Sequence, residues 1–418
     1  MWVQCLVFFL HFALALVLIY KMHFFKCGYA WQWLVFFFIT KVGVGLLQYF
    51  LMLQFSFGGD AISFFNTGLY LNQIAFENPW LFIKVMSGLG FDVETVFTPQ
   101  MYWTNADILF NDNQTMIRLH ALLAFFSMCS YIVHTVWFSF LSLIGFVAMI
   151  KTMQLFFGKK LLHTLLLTCI PSTFFWCAGC SKEAVLIAFL GLFLWALANA
   201  IKQLRITFTL LGSCALLFLI KSYIALALIP ALLSWCIAFY LKKNNWLTFA
   251  VVYAFTIIFL FTMPAFDFMG YLIFKQHSFQ YLAEWSGAGS VLPLLEIKSP
   301  WLMVPNYLQA LEHIFFRPHI FEIKNMQWLF AAIENYVLLL LLVVFVLGNQ
   351  KFKGQSATCF LLFFTVSLFV LIGITTPVLG SLVRYKAPLM PLFFIALVWQ
   401  FNYVVLKQRL NYLFSLIK

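Results

Sequence analysis

Apolar stretches of about twenty residues recur along the whole of this 418-residue chain, and the gaps between many of them hold clustered lysine and arginine. A bilayer core about 30 Å thick takes roughly twenty residues of helix to cross. Inside it every backbone N–H and C=O must be paired within the chain, which restricts spanning structures to helices and closed barrels. Composition agrees: 64% of residues are hydrophobic and only 9% charged, too few to coat a soluble domain with a polar shell. The formal charge of +12 does not point to nucleic acid, because the basic residues lie in short gaps between apolar runs rather than in one patch.

Hydropathy predicts an all-α, polytopic transmembrane bundle of about eleven spans, organised as one integral membrane domain over residues 1–418. The first run, Trp2 to Tyr20, lacks the basic start and small-residue cleavage site of a signal peptide and reads as a retained span. Lys21 and Lys26, Lys159 and Lys160, Lys202 and Arg205, Lys242 and Lys243, Lys351 and Lys353, and Lys407 with Arg409 mark successive cytoplasmic turns. That pattern puts the N-terminus outside and the C-terminus inside. It also gathers all thirteen carboxylates at or near the outer face. Two long segments fall on that side. The first, 56–118, carries helical apolar spacing over Ile62–Ile74 and Trp80–Leu89; the second, 264–327, is interrupted by Pro293, Pro300, Pro305 and Pro318 and is predicted to form broken helices. No internal repeat stands out, which weighs against a transporter built from inverted halves.

Four outer-face groupings carry candidate chemistry. Gly58-Gly59-Asp60 follows the second span; Asp60 reads either as a carboxylate that accepts a proton or holds a cation, or as a cap for the next helix. Lys182 and Glu183 open a later span. Glu183 complements the helix dipole while Lys182 opposes it, so the pair is either an anion-binding feature or a snorkelling interfacial pair. Cys177 and Cys180 on the same turn form a C-x-x-C with no second such pair and no histidine pair beside it to suggest zinc. Arg317-Pro318-His319 with Glu322 offers a guanidinium for phosphate or carboxylate, or a simple ion pair. Arg384-Tyr385-Lys386 precedes Pro388 and Pro391 at the head of the last span, where two cations suit a lipid-linked phosphate. Lys41 and Glu334 fall inside spans, where snorkelling competes with function. His120, His134 and His163 show no metal-ligand spacing, and the residues suggest no metal site.

The loop aspartate at Gly-Gly-Asp60 and the late Arg-Tyr-x-x-Pro-x-x-Pro from Arg384 to Pro391 resemble the multi-span glycosyltransferases of the GT-C class. Pro171-Ser172, Phe175-Trp176, Lys182-Glu183, Phe316-Arg317-Pro318 and Thr376-Pro377 are similar to bacterial polytopic proteins associated with surface polysaccharides. The resemblance covers short patches only, and the acidic pair or Asp-x-Tyr that usually follows the first span is reduced here to Gly-Gly-Asp with Tyr70 further on. It implies an inverting glycosyltransferase of the bacterial inner membrane, working at the outer face on polyprenyl-(pyro)phosphate-linked sugars and a glycan or glycolipid acceptor. Asp60 would be the catalytic base, with Arg384, Lys386, Arg317 and Lys182 on the phosphate and Glu183, Tyr385 and Glu322 in support. It implies no organic cofactor and leaves a divalent cation open. An O-antigen-type polymerase or ligase, a lipid-linked sugar transporter and a scaffold subunit are the competing expectations.

Overall fold

A computed structural model describes residues 2–54, 59–89, 112–159, 161–241, 245–285, 289–297, 299, 303–349, 355–398 and 401–417. Gly58, Asp92, Glu94, Asp107, Lys160, Lys242, Lys243, Pro300, Lys351 and Lys353 lie outside these described residues.

Every named regular element of the described chain is helical. In order they are α1 (Trp2–Lys21), α2 (Trp31–Met52), α3 (Gly59–Glu77), α4 (Pro79–Ser87), α5 (Asp112–Ser127), α6 (Tyr131–Phe157), α7 (Leu161–Cys169), α8 (Pro171–Trp176), α9 (Lys182–Gln203) and α10 (Phe208–Ile220). There follow α11 (Ser222–Leu241), α12 (Asn245–Thr262), α13 (Phe268–Trp285), α14 (Val304–Phe316), α15 (Met326–Gly348), α16 (Ser356–Thr375), α17 (Leu379–Lys386), α18 (Met390–Val398) and α19 (Tyr403–Ile417). Eight of the described helices are long and apolar enough to cross a membrane, nine if the bent pair α17 and α18 counts as one.

Hydropathy predicts about eleven spans, and among the described residues several of the apolar runs are interrupted for local reasons. The stretch from Leu161 to Phe175 breaks at Pro171, whose missing N–H and ring stop a helix, leaving the short α7 and α8. The thirteen residues of α10 reach only about 20 Å, short of a bilayer core. The long run from Leu119 divides at Met128 and Cys129, both left-handed at φ +49° and +56°, so that only α6 is of spanning length. Near Pro388 and Pro391 the last apolar run turns by 51° between α17 and α18.

Both long polar segments contain helices among the described residues. Asn78 caps α4, its side chain accepting from the Leu81 N–H at 3.1 Å, with Pro79 at the first helical position and left-handed Gly88 closing the end. In the second segment, α13 and α14 are joined by irregular chain carrying Pro293, and a single 3-10 turn (Ile320–Glu322) follows. The proline-broken helices predicted for 264–327 are present.

The chain divides into two compact units. The first holds Met1–Lys160 and Phe174–Leu226; the second holds Leu161–Thr173 and Ala227–Lys418. In the first unit, α6 lies against α9 with backbones nearly touching. A Cβ on Gly191 would stand 2.2 Å from the Gly145 carbonyl oxygen, and one on Gly145 equally close to the Ile187 carbonyl. Small residues at crossings of this kind let apolar helices pack without a hydrophobic drive from solvent. Gly45 of α2 meets Gly179 in the same way, fixing the turn before α9 against α2. In the second unit, Gly373 of α16 is packed on Ala310 of α14, beside a cluster of Leu272, Ile297, Met303 and Ile374.

Candidate functional site

Ser181 is the N-cap of α9. Its hydroxyl accepts from the Ala184 N–H at 3.0 Å and donates to the Trp176 carbonyl at 2.7 Å, which ties the start of α9 to the end of α8. Lys182 and Glu183 are thereby held in the first turn. Both are buried rather than snorkelling outward, Glu183 completely. Lys182 Nζ donates to Asp112 Oδ2 at 2.8 Å and to the side-chain oxygen of Asn113, at the start of α5. The ammonium also stands 4.9 Å from the centre of the Phe64 ring.

Phe64 lies four residues after Asp60 on α3, so the two share a helix face. Asp60 occupies the first turn of that helix, after the left-handed Gly59 (φ +69°), where the helix dipole favours a carboxylate. It is half-buried and close enough for its charge to act on Lys182. Lys221, at the break between α10 and α11, is within the same electrostatic range and is itself buried. The Thr115 hydroxyl donates to the Leu219 carbonyl at 3.0 Å and so holds the end of α10 against α5.

The first unit therefore gathers Asp60, Asp112, Asn113, Lys182 and Lys221 from four helix ends. Two of the expected site residues, Asp60 and Lys182, belong to this unit, with the ring of Phe64, one helical turn from Asp60, against the Lys182 ammonium. Asp112, Asn113 and Lys221 were not foreseen as site residues. A signal for Lys221 exists in the sequence, a lysine set between two apolar runs. An ammonium has three donors, and among the described residues two of those on Lys182 find acceptors. The arrangement puts a carboxylate and two ammonium groups where low surrounding polarity strengthens their action on a bound anion.

Burial pushes the Cys177 thiol well above its ordinary value and that of Cys180 up to about 12. Both are free and protonated, which does not suit thiolate chemistry.

Arg317, Glu322, Arg384, Tyr385 and Lys386 belong to the second unit. Arg317 is an ion-pair hub: its Nε donates to Glu312 Oε1 at 3.1 Å and its Nη1 to Glu322 Oε1. Glu322 Oε2 accepts from the His319 backbone N–H at 2.9 Å, and His319 Nε2 lies 2.7 Å from Glu312 Oε1. His313, buried beside Glu312, has its pKa lowered mainly by desolvation. Arg317 is thus engaged by two carboxylates, the ion-pair alternative its sequence left open. Arg384 and Tyr385 are half-buried, and the Tyr385 ring lies 6.2 Å from that of Phe279.

Lys386 was expected to bind a surface phosphate, and here the structure corrects the expectation. Its ammonium is completely buried, donating to the Ile314 carbonyl at 2.6 Å and to Asn335 Oδ1 at 2.9 Å, while Asn335 donates in turn to the Arg317 carbonyl. The α17 helix turns Lys386 inward, so that it joins α14 to α15. Replacing it by Met leaves two buried acceptors without a donor, at about 1–3 kcal/mol each. Lys386→Met is expected to lower the unfolding temperature of the purified protein; a surface phosphate ligand would leave it unchanged. Glu334 is half-buried and accepts from the Ser172 N–H at 2.7 Å.

The chain matches no known protein family, no curated protein and no solved structure.

Proposed function

We propose that this chain is a polytopic glycosyltransferase of the bacterial cytoplasmic membrane, with its N-terminus outside and its C-terminus inside. It transfers sugar from a polyprenyl-(pyro)phosphate donor to a glycan or glycolipid acceptor during surface-polysaccharide assembly. The observation that supports this reading is the buried Lys182 ammonium, held by Asp112 and Asn113 and 4.9 Å from the ring centre of Phe64, one helical turn from Asp60. Asp60 takes the proton of the acceptor hydroxyl as that oxygen attacks the anomeric carbon. Lys182 and Lys221 hold the departing phosphate and offset the charge that grows on it in the transition state. Asp112 and Asn113 fix Lys182 in place. The apolar helices keep a lipid-borne donor at the depth of the site.

The test is the lipid fraction of a deletion strain. Loss of the protein is expected to leave sugar-loaded polyprenyl phosphate in the membrane and to remove one glycan from the envelope, as read by mass spectrometry. Accumulation of a complete single repeat unit on the lipid would assign a polymerase instead. Unchanged lipid and glycan pools would sink the proposal.

A further inference from the structure

Away from that cluster, the first unit holds a second set of reactive side chains around Ser127, at the end of α5. Ser127 Oγ lies 2.7 Å from His134 Nε2, and His134 Nδ1 lies 2.7 Å from His120 Nδ1. All three residues are buried. The two imidazoles are stacked, centroids 5.0 Å apart and planes 11° from parallel, with the Phe138 ring on the far side of His120 at 4.9 Å. A Cβ on Gly68 of α3 would press 2.5 Å from the Cβ of His120, so α3 packs tightly against the helix that carries it.

Counting donors assigns the protons. If His134 carried its proton on Nε2, it would donate to Ser127, and among the described residues the Ser127 hydroxyl would have no acceptor. If His134 carries it on Nδ1, that N–H donates to His120 Nδ1, and Nε2 presents a lone pair to the Ser127 hydroxyl. Both arrangements make both bonds; the second places the serine proton, and its cost falls on His120 Nε2, which is buried without a partner among the described residues. The order is then hydroxyl, base and orienting group, each in hydrogen-bond reach of the next, which is the arrangement that activates a serine oxygen. The backbone beyond Ser127 is strained: Met128 and Cys129 are successive left-handed residues without being glycine.

We propose that Ser127 is the nucleophile of a second catalytic centre, which takes an acyl group from a lipid-borne ester. The substrate class follows from the neighbours. Phe126 and Met128, on either side of Ser127, are 73% and 60% exposed at the head of a spanning helix, so what reaches this turn is apolar. The Ser127 hydroxyl is covered in the structure, and the ester gains it by displacing the strained Met128–Cys129 turn. Oγ bonds to the ester carbonyl carbon while its proton passes to His134 Nε2. The ester C–O bond then breaks, and His134 returns the proton to the departing alcohol. Water or a second alcohol takes the acyl group from the serine by the same steps in reverse. His120 acts through His134 and is a positioning residue. His11, which accepts from Trp137 Nε1 at 3.0 Å, is the other titratable group in electrostatic range of His134.

The experiment is covalent labelling of the full-length protein in phosphatidylcholine vesicles with a long-chain alkyl fluorophosphonate, mapped by peptide mass spectrometry. One adduct is expected, on Ser127. It is absent from Ser127→Ala, and His134→Gln slows its formation about a hundredfold or more. His120→Asn is expected to shift the pH midpoint of labelling, which a loss of packing alone would not do. Size-exclusion profiles establish that each variant is folded, and His134→Gln, which keeps an acceptor for the hydroxyl, serves if Ser127→Ala is not. A folded wild-type protein with no adduct on Ser127, equal labelling of Ser130, or wild-type labelling of His134→Gln overturns the proposal.

Discussion

Asp60→Asn is expected to reduce glycan transfer by about a hundred- to ten-thousand-fold while leaving the protein folded and in the membrane. The two halves of that expectation have separate grounds. Asparagine keeps the size of the side chain and its polar end in the first turn of α3, where the loss of a favourable charge at the helix N-terminus costs about 0.3–1 kcal/mol. Catalysis loses far more, because an amide cannot take a proton from an attacking hydroxyl. Complementation of a deletion strain with Asp60→Asn, read as envelope glycan per unit of membrane-inserted protein, measures both. Asp60→Glu keeps the carboxylate but moves it by one methylene, and is expected to fall between the two. Glycan at the wild-type level from Asp60→Asn would remove Asp60 from the chemistry and return it to the simpler role of a helix-end carboxylate.

The sequence made some parts of this arrangement legible for physical reasons that can be stated. Long apolar runs specify spanning helices because hydrocarbon offers the backbone no other partner, so α1, α2, α6, α9, α11, α12, α15 and α16 were all readable. Where the run was apolar but the backbone was interrupted, hydropathy misled. Pro171 divides one expected span, and two left-handed residues at Met128 and Cys129 divide another without any glycine or proline to announce it.

Side-chain direction was harder to read than position. Lys182 and Lys386 both sit at helix ends, and the sequence offers both as phosphate ligands. One heads a helix whose first turn is pinned by Ser181, and it faces Asp112. The other ends the short α17 and turns inward to the Ile314 carbonyl. Charge patterning says where a cation lies along the membrane normal but not which way round its helix it points. Asp112 and Lys221 were missed for a related reason, since each is adjacent to the site only through helix packing.

The pair formed by Asp112 and Lys182 separates stability from function. Its partners are unequally exposed, 9% for the lysine side chain and 37% for the aspartate. Asp112→Ala leaves a buried ammonium with Asn113 and the Phe64 ring but without its ion-pair partner, and removing one partner of a buried pair costs several kcal/mol. The residual Asn113 contact puts the expected loss near the lower end, about 3 kcal/mol, seen as a clear fall in the unfolding temperature of the purified protein. Lys182→Met is expected to cost less, because water reaches the carboxylate left behind and the methionine still packs against Phe64. The double variant Asp112→Ala/Lys182→Met buries neither charge, and so should recover most of the stability lost in Asp112→Ala, giving a coupling energy of opposite sign to the single effects. Activity is expected not to recover with it, because the cation that offsets the leaving phosphate is gone. A double variant that regains both stability and glycan transfer would show that Lys182 serves packing alone, leaving Lys221 as the cation of the site.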